Sequence, residues 1–131
     1  MTLEEVIGIC NELRPGNAYS DELKTRWLNE LQGMINVQIH LEPLGVMEGI
    51  SYKWPDDRGS GLTIPLPYDR MYWLYLLAMV DFTNGDYEKY KNTYDMFNEV
   101  LRDYRLWYIT MQEPGKRPFM PKVKGGASYE T

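Results

Sequence analysis

Apolar residues return at helical spacing at the start and in the second half of the chain, and at strand-like spacing between. Leu3, Val6, Ile7, Cys10 and Leu13 fall on one face of a helix expected from Thr2 to Leu13. Thr2 and Glu5 form a capping-box pair, hydroxyl and carboxylate each satisfying a free backbone donor. Arg14-Pro15-Gly16-Asn17 stops the helix, and Ser20-Asp21 opens a second one to about His40. Its stripe is Leu23, Trp27, Leu31, Met34 and Gln38, widened by Leu28, Ile35 and Ile39, and Glu42-Pro43-Leu44-Gly45 ends it.

From Gly49 the period drops to two. Ile50, Tyr52 and Trp54 alternate with polar residues, as do Leu62, Ile64 and Leu66, around the turn formers of residues 55–61. A β-hairpin or an extended insert with one apolar face is expected from Gly49 to Pro67, its second half an edge because Pro65 and Pro67 lack a donor. A third helix should run from near Tyr68 to Asn84-Gly85; Met71 to Val80 is apolar all round and is the expected centre of the core. The fourth, Asp86 to about Met111, carries Tyr87, Tyr90, Tyr94, Phe97, Leu101, Tyr104, Tyr108 and Met111 at alternating steps of three and four. That heptad seam is roughly 39 Å long at about 1.5 Å per residue, with Val100 and Trp107 beside it. Trp73, Leu76, Leu77 and Val80 are expected to pack against Tyr94, Phe97 and Leu101. The fold class is therefore mainly α, a four-helix bundle-like domain.

Composition adds a division. Residues 1–113 form the helical domain, and residues 114–131 an extended or disordered tail with prolines at 114, 118 and 121 and no periodicity. The formal charge is −5, but the tail is +3, leaving 10 basic and 18 acidic residues in the body. A body this acidic repels a phosphate backbone, which argues against sequence-specific nucleic-acid binding. The tail interleaves Lys116, Arg117, Lys122 and Lys124 with Phe119 and Met120, and these six residues are the expected partner-binding site. One cysteine excludes an internal disulfide and fits a reducing compartment, and the ten-residue apolar run at Met71 is too short for a membrane span.

Candidate chemistry is sparse. His40 is the sole histidine and Cys10 the sole cysteine, on different expected helices, so no zinc site or Cys–His nucleophile is expected. His40 reads as a cation near a helix end, Cys10 as a small buried hydrophobe, and Asp56-Asp57 as turn formers without EF-hand spacing. No catalytic, cofactor-binding or metal-binding residues are expected, and the chain is not expected to be an enzyme. The tyrosine stripe invites a single-strand stacking platform, but acidic and basic neighbours nearly balance, so packing in the bundle or on a partner is the better reading.

The order of elements carries a likeness. A short helix opened by Thr2-Leu3-Glu4-Glu5-Val6 leads to a helix opened by Ser20-Asp21-Glu22-Leu23; Pro65-Leu66-Pro67 then precedes an apolar helix closed by Asn84-Gly85-Asp86. Over residues 2 to 85 this resembles the head–tail connector (adaptor) proteins of tailed phages, and it is similar to small prophage proteins of Gram-positive bacteria. The Tyr-rich fourth helix and the hairpin-like insert depart from the family pattern. The resemblance implies a structural protein of the virion neck, a homo-oligomeric ring between portal and tail that contacts portal and other neck or tail proteins. It implies assembly in the bacterial host cytoplasm, no membrane and no catalytic residues. The competing expectation is a small helical protein-binding or regulatory module encoded by a phage.

Overall fold

The computed structural model describes residues 1–41 and 51–112; the expected tail and the opening of the insert at Gly49 and Ile50 lie outside the described residues. The fold is mainly α, with four helices: α1 Leu3–Leu13, α2 Asp21–Gln38, α3 Arg70–Thr83 and α4 Tyr87–Gln112. α3 is the hub: α1, α2 and α4 all pack against it, α1 also meets α2, and of the other helices α4 meets α3 alone.

Local sequence sets the helix ends. The Thr2–Glu5 capping box forms in both directions, and Ser20 accepts from Leu23 N at the start of α2. α3 closes in a Schellman arrangement, Asp86 N donating to Asp81 O and Gly85 N to Phe82 O, with Gly85 at φ +80. The Asp86 carboxylate then accepts from Lys89 N at the head of α4.

The core follows α3. Met71, Tyr72, Leu74, Leu76, Leu77 and Val80 are buried among Leu3, Val6, Ile7 and Cys10 of α1, Trp27, Leu28, Leu31 and Ile35 of α2, and Phe97, Val100 and Tyr104 of α4. Of the expected α3–α4 contacts, Leu76, Leu77, Val80 and Phe97 are fully in the core, whereas Trp73, Tyr94 and Leu101 are half-buried at its edge.

Three expectations are corrected. No hairpin forms among the described residues; the pairing there is a single bridge between Thr2 and Gly61. The backbone groups a hairpin would use are already taken. The Asn29 amide holds both Tyr52 N–H and Tyr52 C=O at 2.9 Å, Leu62 N donates to Met1 O, and Ile64 N to the Tyr72 hydroxyl. Ser60 O and Arg58 O accept from Leu3 N and Glu4 N, so the insert caps α1. Of its second apolar triplet only Ile64 is buried, and Leu66 is 80% exposed.

The buried stripe of α4 is Thr93, Phe97, Val100 and Tyr104, turned roughly 50° from the expected seam at about 100° per residue. Val100 is inside, and Tyr87 is 63% exposed. Leu13, expected on the inner face of α1, is likewise exposed, and Gln38 of the α2 stripe faces outward.

One ion pair lies at the first residue of that buried stripe. Arg14, just past α1, grips Asp81 of α3 with both Nε and an Nη at 2.8 Å. Asp81 is 2% exposed, and Thr93 Oγ1 of α4 faces its carboxylate at 3.2 Å with Lys89 O at 3.0 Å, its single proton serving one or the other. The hydrogen bond to Asp81 raises the Arg14 pKa, locking the guanidinium in its charged form. Arg14→Ala strands a buried carboxylate and should lower stability by about 3–5 kcal/mol in urea denaturation. Leu77→Ala should cost about 2–5 kcal/mol. A loss under about half a kcal/mol in either variant would contradict the packing described.

Candidate functional site

The six residues singled out from sequence, Lys116, Arg117, Phe119, Met120, Lys122 and Lys124, lie outside the described residues. The described residues hold three polar assemblies, none of them singled out from sequence, and one aromatic ladder built on the tyrosine stripe of α4 that the sequence did show.

A polar chain runs along α2 at one-turn intervals. The Tyr72 hydroxyl accepts from Ile64 N at 3.1 Å and donates to Gln32 Oε1 at 2.8 Å. Gln32 Nε2 donates to Asn36 Oδ1 at 2.9 Å, which also meets His40 Nδ1 at 2.9 Å. With Asn36 Oδ1 an acceptor, His40 Nδ1 is the donor, and its Nε2 is hydrogen-bonded to the Tyr104 hydroxyl at 2.6 Å. His40 thus ties the end of α2 to α4 through Tyr104 and stacks near Tyr108, with ring centroids 4.7 Å apart.

At the opposite end of α2, Lys24 is 1% exposed, and its ammonium donates to Asn11 Oδ1, Asn17 Oδ1 and Tyr19 O at 2.7–2.8 Å. All three donors are used in holding the α1–α2 turn, so this lysine is structural. The third assembly is the Arg14–Asp81–Thr93 cluster. Cys10 is fully buried, and burial raises its thiol to about 11, which keeps it protonated and inert. The Asp57 carboxylate accepts from Lys53 N at 2.8 Å within its own turn. Among the described residues no group of three or more His, Cys, Asp or Glu converges on a metal-sized site. No helix among them is long and apolar enough to cross a membrane.

The ladder starts at the α3–α4 link and enters the core. Phe82 lies 5.7 Å from Tyr87 and 5.1 Å from Tyr90; Tyr90 and Tyr94 are 5.3 Å apart; Phe97 is 5.4 Å from Tyr94 and 5.3 Å from Tyr75. Phe82 and Tyr87 are 49% and 63% exposed, whereas Phe97 is sealed. The outer charges of α4 are Glu88, Asp95, Glu99 and Asp103 against Lys89, Lys91, Arg102 and Arg105, all exposed and nearly balanced. Such a surface has no single-sign groove for a phosphate chain.

No protein-family model, curated protein or solved structure matches this chain.

Burial pushes the Tyr72 phenol from its ordinary value near 10 to about 12, and burial with neighbouring Tyr108 does the same to Tyr104. Both phenols stay protonated in the folded chain where an unfolded chain would ionise them. Their contribution to stability is therefore complete below about pH 10 and is lost as pH rises toward about 12. The urea midpoint should hold steady to about pH 9 and fall beyond about pH 10. Tyr72→Phe orphans Ile64 N–H, should cost about 1–3 kcal/mol at neutral pH, and should flatten that alkaline slope. An unchanged slope in the variant would remove Tyr72 from the account.

Proposed function

We propose that the chain is a non-enzymatic structural protein of a tailed phage or prophage, a head–tail connector forming a ring between portal and tail. The observation that carries the reading is the order of elements. A box-capped short helix, a tight turn, a Ser-capped longer helix, an irregular Pro-ended insert and an apolar helix closed by Asn84-Gly85-Asp86 form an order that resembles the connector plan. The acidic body supports it, because a negatively charged lumen does not hold passing DNA. In this reading the protein is made in the host cytoplasm and ends in the virion neck. The tail residues Lys116 to Lys124 meet acidic surface on a neighbouring subunit or the portal. The exposed aromatic rings at Phe82 and Tyr87 also suit the second reading, a phage-encoded helical binding module.

Electron microscopy of the virion neck separates the two: a connector appears as a ring under the portal, and a regulatory module is missing from the particle. Deleting residues 114–131 should leave the helical domain folded by circular dichroism but block incorporation into particles. Normal assembly of the truncated chain would remove the tail from the mechanism.

A further inference from the structure

Asn84-Gly85 is the chain's one asparagine–glycine pair, and it forms the corner between α3 and α4. Such a pair carries a reaction of its own. The glycine backbone nitrogen, unhindered by a side chain, loses its proton to solvent and attacks the asparagine Cγ. The Cγ–Nδ2 bond breaks, ammonia leaves with a proton from water, and a cyclic succinimide remains. Water then opens the ring at either carbonyl, giving aspartate or isoaspartate. Water is the only co-reactant, and Asn84 is exposed to it.

The folded corner holds both reacting groups off this path. Gly85 N–H, which must give up its proton, donates to Phe82 O at 3.0 Å inside the Schellman turn. Ring closure requires Asn84 to swing out of the helical region, where it sits at φ −75 and ψ −10. That swing moves Gly85 N and Asp86 N away from their acceptors on α3, Phe82 O and Asp81 O. The carboxamide is tied as well. Tyr19, 65 positions earlier, donates its hydroxyl proton to Asn84 Oδ1 at 2.6 Å. Tyr19 is itself anchored, its ring 5.8 Å from that of Trp27 and its carbonyl accepting from the buried Lys24 ammonium at 2.7 Å. The side chain of Asn84 cannot turn toward Gly85 N without giving up that bond.

We propose that Asn84 is a site of spontaneous deamidation whose rate the α3–α4 corner sets, with Tyr19 and the Schellman turn as its restraints. Once formed, the product resists closing the corner again. Isoaspartate adds a methylene to the backbone between the two helices, which puts the Gly85 and Asp86 N–H groups out of register with α3. Either product adds a carboxylate at the C-terminal end of α3, where the unpaired helix carbonyls already carry partial negative charge.

The test incubates the full-length chain at mildly alkaline pH, with and without guanidinium chloride, and follows tryptic digests by mass spectrometry. The peptide Met71–Lys89 contains Asn84 as its one asparagine, and Asn92–Arg102, with an Asn-Thr and an Asn-Glu pair, is the internal control. In denaturant Asn84 should convert faster than the control. In the folded chain it should convert at least roughly tenfold more slowly than in denaturant, the factor that two hydrogen bonds of ordinary strength supply. Tyr19→Phe keeps the ring beside Trp27 and the carbonyl on Lys24. It should speed conversion in the folded chain about fivefold, the factor of one such bond, and leave the rate in denaturant unchanged. If circular dichroism shows that Tyr19→Phe loses helix, the native chain is followed instead at denaturant concentrations below its unfolding transition, where the rate should climb as the corner opens locally. Equal rates in folded and unfolded chain, a rate in denaturant no faster than the control, or a flat rate below the transition overturns the proposal. So does a Tyr19→Phe rate equal to or below the native one; a lower rate would mean that the hydroxyl activates the Asn84 carbonyl instead of restraining it.

Discussion

The bidentate grip of Arg14 on Asp81 is the constraint on which the arrangement of helices depends. It joins the end of α1 to the end of α3, and Thr93, the first buried residue of α4, faces the same carboxylate. The carboxylate is buried and costly without its partners, so any arrangement that moves one of the three helix ends leaves charge unsatisfied. Arg14 also holds the start of the turn to α2, its carbonyl accepting from Asn17 N and from Asn17 Nδ2. Lys24 completes that turn from the α2 side. One end of the bundle is thus set by ion pairing and amide bonds, not by apolar packing alone.

The other end is held differently. There the Gln32–Asn36–His40 line crosses to α3 through Tyr72 and to α4 through Tyr104. Buried polar chains of this kind specify geometry, because each member is satisfied in only one register. Between the two ends α3 is surrounded by apolar side chains, which is why its sequence lacks a polar face.

The consequence for function lies in what this leaves uncovered. With α4 held at Tyr104 and meeting only α3 among the helices, the first turn of its tyrosine stripe stays exposed. Phe82 and Tyr87 remain exposed beside Tyr90 and Tyr94 while the same stripe is sealed at Phe97. Aromatic rings bring large contact area with few rotatable bonds, so such a surface loses comparatively little entropy when a partner docks.

By itself the sequence determined the four helices, their caps and the central place of α3, because these follow from periodicity and from turn chemistry acting within a few residues. The Thr2–Glu5 box, the Ser20 cap and the Gly85 stop are all local. It did not determine which residues share the buried polar bonds. Arg14 and Asp81 are 67 residues apart, Gln32 and Tyr72 forty, and His40 and Tyr104 sixty-four. No spacing rule links positions so distant. The insert misled for the same reason: its alternation was real, but the partners that satisfied its backbone were Asn29, Met1 and Tyr72 rather than a second strand. The α4 seam was legible in period but not in phase. A heptad pattern says that one face is covered, and which face that is depends on long-range contacts: Thr93 beside Asp81, Phe97 and Val100 in the core, and Tyr104 bonded to His40.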